Sequence, residues 1–490
     1  MMEDSLGAPS AWRTGFARRL GGTHMSVRPQ SLDSHASTVK GIFINNGLLY
    51  RGGHRIRTTG DLMSAHRQAA TGETTDRLAI TLWDFSWYTQ AGPGEPFADL
   101  DRAFAEAVER GFNTIRICAM PFLLFSGLVR DPESLHVRGL GEQFGQRTRW
   151  YNVRGGYPLD GRRRLVELFE AAARHDCRVI VSSWEYQQSP SFADTDAWHR
   201  ALAAVPGPDR AEVMAEALAG MLDFLTERGL ADRVAYVEVH NEVDNCSLVP
   251  SDGATHYARL RGPLGRAVDL LRARHPGIPV TYSLGEPWPD ELDDLPEQAQ
   301  NAHFHFYAYG VLGALYQAVG LGHGTEPAPR TATWPTPELA GMLRPDAPAF
   351  ADYHPDEPWR LQATGIPREL FYVHDWVDPD RWDLWLYENY QSHRQAMRDT
   401  LARWVESVAG FAHRRGVPAI LGEGVVGYTP LLTRFEEDAV GKDLAEFVVD
   451  RCLAAGFQGV VLTSNAAPHH PMWHTDAAWM RRVNSRVTVG

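Results

Sequence analysis

A chain of 490 residues with 44% hydrophobic and 10% aromatic content can fill a large core, which excludes global disorder. Its formal net charge of −13 argues against nucleic acid as a partner, because non-specific binding there needs a positive field. No uninterrupted apolar stretch reaches membrane-spanning length, so no membrane partner is expected.

Residues 1–38, rich in Ser, Gly, Arg and His and without the apolar segment of a secretory signal, read as a flexible leader, and a cytoplasmic location follows. Ile42 to Ile56 reads as a β-hairpin turning at Gly52-Gly53. Strands are then expected at 78–83, 112–118, 177–183, 234–240, 279–284, 301–306, 417–421 and 457–463. Helical periodicity follows each of them, at 97–110, 161–175, 210–228, 256–274, 290–299, 388–415, 438–455 and about 475–483. Several strands are apolar along their whole length, as parallel strands covered by helices are. Eight β/α units in roughly 400 residues predict a TIM (β/α)8 barrel with long loops after strands two and six, the latter an insertion over about 307–387. An open doubly wound sheet is the rival, but no Gly-rich phosphate fingerprint follows the first strand. With no internal repeat or linker, residues 39–490 read as one domain. Cys118, Cys177, Cys246 and Cys452 lie far apart without CxxC spacing and read as buried thiols.

Two strands end in carboxylates. Tyr236-Val-Glu-Val-His-Asn241-Glu242 closes strand four, and Ile420-Leu-Gly-Glu423 closes strand seven. In a barrel, the C-terminal strand ends converge on one site. A glutamate pair there points to paired-carboxylate chemistry, whose commonest use is glycosidic-bond cleavage. A strand-end salt bridge is the plainer reading of either glutamate alone.

The order Phe112-Asn-Thr-Ile-Arg116-Ile, Asn241-Glu242, His305-Phe-Tyr307 and Glu423, behind an N-terminal hairpin, resembles the cellulase-like family of the retaining barrel glycoside hydrolases. The likeness spans nearly the whole chain from residue 42. It implies Glu242 as acid/base, Glu423 as nucleophile, a hairpin plugging the barrel floor, a carbohydrate substrate, and no metal or organic cofactor. Arg116 and the Tyr307 hydroxyl would keep Glu423 ionised, desolvation would keep Glu242 protonated, and Asn241 would bond the sugar 2-hydroxyl.

Each partner has a second reading. Arg116 can neutralise Glu238, His305 can support the site without touching sugar, and Tyr307 can belong to the core. Glu185 and Glu286 also follow strands, as reserve carboxylates or hydroxyl binders. The sequence departs from the family pattern in having Val243-Asp244 after Asn-Glu, where Pro is common, and no Trp at the end of strand eight. The aromatic platform is therefore expected from Trp83, Trp184 or Trp473. The retaining β-glycosidase reading stands beside two others, a non-catalytic sugar-binding barrel and a metal-dependent hydrolase. The latter is prompted by His303-Phe-His305 and by His469, His470 and His474. Sugar, linkage, endo or exo action and oligomeric state are open at this level.

Overall fold

The computed structural model describes residues 50–51, 54–55, 77–250, 257–321, 334–427 and 429–488. The chain divides into two compact units, the smaller spanning Arg19–Asp76. Of that unit, the described backbone is an antiparallel pairing of Tyr50–Arg51 with His54–Arg55. The rest of the expected hairpin, its seat at a barrel floor and the leader over 1–38 lie outside the described residues.

Within the larger unit, the strands are β1 (Leu78–Asp84), β2 (Thr114–Cys118), β3 (Arg178–Ser182), β4 (Val234–Glu238), β5, β6 (Ala302–Tyr307), β7 (Ala419–Val425) and β8 (Gly459–Val461). In the barrel all pairings are parallel and in chain order, with β8 joining β1 through Gly459↔Leu78 and Val460↔Ala79, while His136–Arg138 and Gly155–Pro158 in the loop after β2 form a separate antiparallel pair. Strand β5 is broken at Tyr282. Its first half, Val280–Thr281, pairs with β4 and its second half, Ser283–Leu284, pairs with β6, so the ring closes through this interrupted strand. This is an α/β barrel, as expected.

The helices lie outside the ring: α1 (Leu100–Glu109), α2 (Gly161–Arg174), α3 (Arg210–Thr226), α4 (Arg261–Arg274), α5 (Pro379–Arg415), α6 (Ala439–Ala454) and α7 (Ala477–Thr488). Helix α1 shows the logic. Asp99 caps it by accepting from the Arg102 N–H, Gly111 at φ +82° ends it, and Leu100, Ala103, Phe104 and Ala107 form its buried stripe. Phe104 meets Trp83 edge-on at 4.8 Å, and full burial of such a ring is worth about 2–3 kcal/mol.

Three expectations need correction. The helix expected over 290–299 is a single 3-10 turn at Leu292–Asp294, because Pro287, Pro289 and Pro296 crowd the segment and Leu295, before a proline, is extended. Helix α5 starts at Pro379 rather than 388, capped by Asp378 with proline at its first position. Strand β7 runs on through Gly422 and Gly424, placing Glu423 inside it rather than at its end. The insertion after β6 is ordered by helices at Gly310–Ala318, Pro337–Met342, Pro358–Thr364 and Arg368–Trp376. All four cysteines are free and buried. Among the described residues no helix is long and apolar enough to cross a membrane.

Candidate active site

The site is built on one buried guanidinium. Arg116, pointing from β2, forks onto Glu238 (Nε–Oε1 2.8 Å, Nη2–Oε2 2.7 Å), donates Nη1 to Glu423 Oε1 at 2.6 Å and Nη2 to Asn241 Oδ1 at 2.7 Å. Arg116 thus contacts Glu238 and Glu423 together. Burial opposes ionisation of Glu238, but Arg116 and His303 outweigh it and hold the carboxyl well below the usual range. His303 Nδ1 lies 3.2 Å from Glu238 Oε1 and 3.2 Å from the Tyr236 hydroxyl. Room for this imidazole depends on Gly422, where a Cβ would sit 1.6 Å from His303 Nε2.

Glu423 receives a second donor, the Tyr307 hydroxyl, at 2.7 Å on Oε2. Tyr307 is steadied by Ser464 Oγ at 2.8 Å, and Ser464 accepts from the Gly424 N–H. Glu242 lies beyond β4 with φ +42°, a left-handed backbone that a non-glycine residue adopts only under constraint from its surroundings. Its N–H donates to Ser283 Oγ at 3.1 Å, Gln187 Nε2 donates to its Oε2 at 3.1 Å, and His305 Nδ1 lies 2.9 Å from its Oε1. A shift of register between Phe304 and His305 sets His305 opposite Glu423, where its Nδ1 is 3.6 Å from Oε1. One ligand atom from each of Glu242, His305 and Glu423 lies within 4.8 Å of the others.

The two glutamates share one dominant electrostatic influence and differ in their neighbours. Burial raises both carboxyls; His305, Arg116 and Tyr307 pull against it at Glu423, and Gln187, Arg116 and Asn245 at Glu242. Only Glu423 has a guanidinium in direct contact, and the neighbouring Glu242 adds to burial in pushing its carboxyl up. Burial pushes His305 down to about 3, so it is a neutral hydrogen-bonding partner at working pH. The trio also has the composition of a cation site. Its oxygens, however, are already engaged by Arg116, Tyr307 and Gln187, which leaves few lone pairs to share with an ion.

Of the expected aromatics, Trp184 reaches the site, with its ring 4.6 Å from the Arg116 guanidinium. Trp83 and Trp473 do not. Trp83 faces the helices and packs on Phe97 and Phe104. Trp473 stacks on Phe112 and Arg110 and donates to Glu106 at 2.7 Å. Glu185 is an anchor: it accepts from the Phe122 and Leu123 N–H groups, Ser183 and Trp198. Glu286 stands on the β5 side, its carboxyl pushed up to about 8 by burial and by Asp244. His474 is exposed and does not join His469 and His470. Sequence reasoning missed Gln187, Ser283 and Ser464, which sit in no motif, and gave Asp244 no role. A cavity of about 590 Å³ lined by Leu123, Val129, Glu133 and Arg162 contains none of the site groups.

A family model described as sugar-binding cellulase-like matches residues 80–324. No curated protein matches the chain. Among solved structures, a candidate glycoside hydrolase from Parabacteroides distasonis shares the fold with a TM-score of 0.56 at 20% identity, over 84% of this chain and 94% of that one. Fainter likenesses are to an endo-1,4-β-D-mannanase from Thermotoga petrophila (TM-score 0.40, 12% identity, 79% and 87% covered) and a broad-specificity endoglucanase from Clostridium acetobutylicum (0.38, 13%, 84% and 96%).

Proposed function

This chain belongs to the cellulase-like family, a glycoside-hydrolase-type barrel, and on that footing we propose that it is a retaining glycosidase acting on a β-linked oligosaccharide or glycoside. A Glu423 carboxylate oxygen attacks the anomeric carbon while Glu242 gives its proton to the departing glycosidic oxygen. The C–O bond to the leaving group breaks, and a glycosyl ester on Glu423 forms. Glu242, now a carboxylate, takes a proton from water, which attacks the same carbon and frees Glu423. No cofactor is needed in either step.

The observation that carries the reading is the spacing of the pair. Oxygens of Glu242 and Glu423 within 4.8 Å of one another support direct attack, for which carboxyl groups about 5–5.5 Å apart are typical, against about 6.5–9.5 Å where a water attacks in a single displacement. The unequal donors support the division of roles: a guanidinium and a phenol on the nucleophile, neutral groups on the acid. Asn241 gives its Oδ1 to Arg116 and donates Nδ2 to Gln187 Oε1, leaving its second amide proton for the sugar 2-hydroxyl.

The test is a panel of aryl β-glycosides (glucoside, mannoside, xyloside, galactoside, fucoside) with wild type, Glu423→Ala and Glu242→Ala plus azide. Turnover lost in the first variant and rescued as a glycosyl azide in the second is the expected result. Saturable sugar binding with no cleavage by wild type would instead make this a sugar-binding barrel without catalysis.

A further inference from the structure

Beyond β8 stands Leu462-Thr-Ser464-Asn465, with no aromatic ring among them. Ser464 is 2% exposed and is clasped to Gly424, the residue after Glu423. Its N–H donates to the Gly424 carbonyl at 2.6 Å, and its Oγ accepts from the Gly424 N–H at 3.1 Å. Thr463 Oγ1 donates to the same carbonyl at 3.3 Å. Gly424 is also close to β6, since a Cβ there would sit 2.8 Å from the Phe306 carbonyl oxygen.

The register of β6 brings a phenol to this clasp. His305 pairs with Glu423 and Tyr307 with Val425, and residues two apart on a strand share a face. Tyr307 therefore lies diagonally across from Glu423. Its hydroxyl is 2.7 Å from Glu423 Oε2 and 2.8 Å from Ser464 Oγ.

Counting protons gives these bonds a direction. An ionised Glu423 only accepts, so the single phenolic proton lies on the bond to it. The Gly424 N–H only donates, so it occupies a lone pair of Ser464 Oγ. The one Ser464 hydroxyl proton is left for the Tyr307 oxygen. The series runs from the Gly424 N–H through Ser464 and Tyr307 to Glu423. Each hydroxyl accepts from the group behind it and donates to the group ahead, and hydrogen bonds in such a series polarise one another.

We propose that Ser464 is a positioning residue for Glu423: by donating to Tyr307 it fixes the phenolic proton on the carboxylate and makes Tyr307 a stronger donor. Without the serine hydroxyl the proton loses its fixed direction, and the Glu423 anion is held less firmly. Glu423 then titrates at higher pH, because the Tyr307 bond is one of the influences opposing its burial. Ser464→Ala also leaves the Gly424 N–H without this acceptor, so a lower Tm is expected whether or not Ser464 acts through the phenol.

Since this role rests on the glycosidase reading, two arms keep the failures of the two apart. The first needs no turnover. Glutamate labelled with carbon-13 at its side-chain carboxyl is incorporated into Glu242→Gln, which removes the coupled partner, and Glu423 is titrated by NMR. Its resonance is assigned by its loss in Glu423→Gln. Adding Ser464→Ala should raise the Glu423 midpoint by about half a pH unit. Adding Tyr307→Phe should raise it too, and Ser464→Ala should then move it no further. An unmoved midpoint in Ser464→Ala, or an equal shift with and without the phenol, overturns the proposal.

In the second arm, wild type and Ser464→Ala cleave an aryl β-glycoside across a range of pH. The acid limb of kcat/KM should move to higher pH by a similar amount, with kcat about fivefold lower and KM nearly unchanged. An unmoved acid limb in an active Ser464→Ala overturns the role of Ser464 and leaves the enzyme assignment intact. Cleavage by neither protein counts against the glycosidase reading, and the NMR midpoint then decides the role of Ser464 alone.

Discussion

Gln187 bridges Asn241 and Glu242, and its amide can point only one way. Arg116 has donors alone, so Asn241 Oδ1 must accept from it; Asn241 Nδ2 must then donate to Gln187 Oε1, which turns Gln187 Nε2 onto Glu242 Oε2. The charge on strand β2 thus fixes the polarity of a bond to the acid on the far side of the site. It follows that the Gln187 donor favours the anion of Glu242 and opposes the burial that raises its pKa. In Gln187→Met that opposition goes, Glu242 titrates higher, and the alkaline limb of the kcat/KM profile moves to higher pH. Loss of orientation should lower kcat about tenfold with KM nearly unchanged. A pH–rate profile with an aryl glycoside reads both effects, and an unmoved alkaline limb would remove Gln187 from the control of the acid.

Arg116→Lys tests the shared guanidinium. Lysine keeps the charge but is a point donor and cannot fork onto Glu238 while also reaching Glu423 and Asn241. Glu238 has no exposure, so its incomplete pairing should cost about 3 kcal/mol of stability. Denaturant unfolding measures that loss. Turnover should fall by more than 100-fold, beyond what partial unfolding explains, because a lysine held at Glu238 no longer donates to Glu423.

Stability should also depend on pH in a direction opposite to that of most proteins. Glu286 is pushed up to about 8 and Asp244 to about 7, burial being the first cause of each. A carboxyl whose folded pKa exceeds its unfolded value holds extra protons in the native state. Its contribution is complete below the unfolded pKa, near 4.5, and is lost as pH rises towards the folded one. Tm should therefore fall between about pH 6.5 and pH 8, above the range in which the buried neutral histidines His240, His305 and His374 oppose the trend. Glu286→Gln stays neutral throughout, so its Tm should decline less steeply over that range; parallel curves for variant and wild type would refute the assignment of the slope to Glu286. Below pH 4.5 the sign reverses, because Glu238 titrates lower when folded and its stabilisation is lost on protonation.

The barrel was legible because its parallel strands are apolar on both faces, a signal spread over whole segments. Glu242 and Glu423 were legible because charge is out of place at the ends of such runs. Features that turn on a single residue were harder to read. Trp83 and Asp84 are neighbours on β1, yet one packs among helices and the other lies among site-side loops, since side chains alternate faces along a strand. Gln187 follows β3 in a turn with no periodicity, and nothing in the residues around it marks it. The closing contact between Arg149 and Glu436 joins loops 287 positions apart, a pairing that local pattern does not encode.

The aromatic question has a direct answer in two substitutions. Trp184 lies against Arg116 at the site, 4% exposed, and is the one expected platform that the fold brings there. Removing its ring in Trp184→Ala should raise KM for an aryl glycoside at least tenfold, combining lost stacking with lost cover over the guanidinium. Trp473 is fully buried between Phe112 and Arg110, so Trp473→Phe should leave KM unchanged. It forfeits the bond from Nε1 to Glu106 and should lower stability by about 1 kcal/mol. Steady-state kinetics beside thermal unfolding separate the two outcomes. A KM effect at Trp473 rather than at Trp184 would place the sugar platform on the outer side of the barrel wall, where no catalytic carboxylate could reach it.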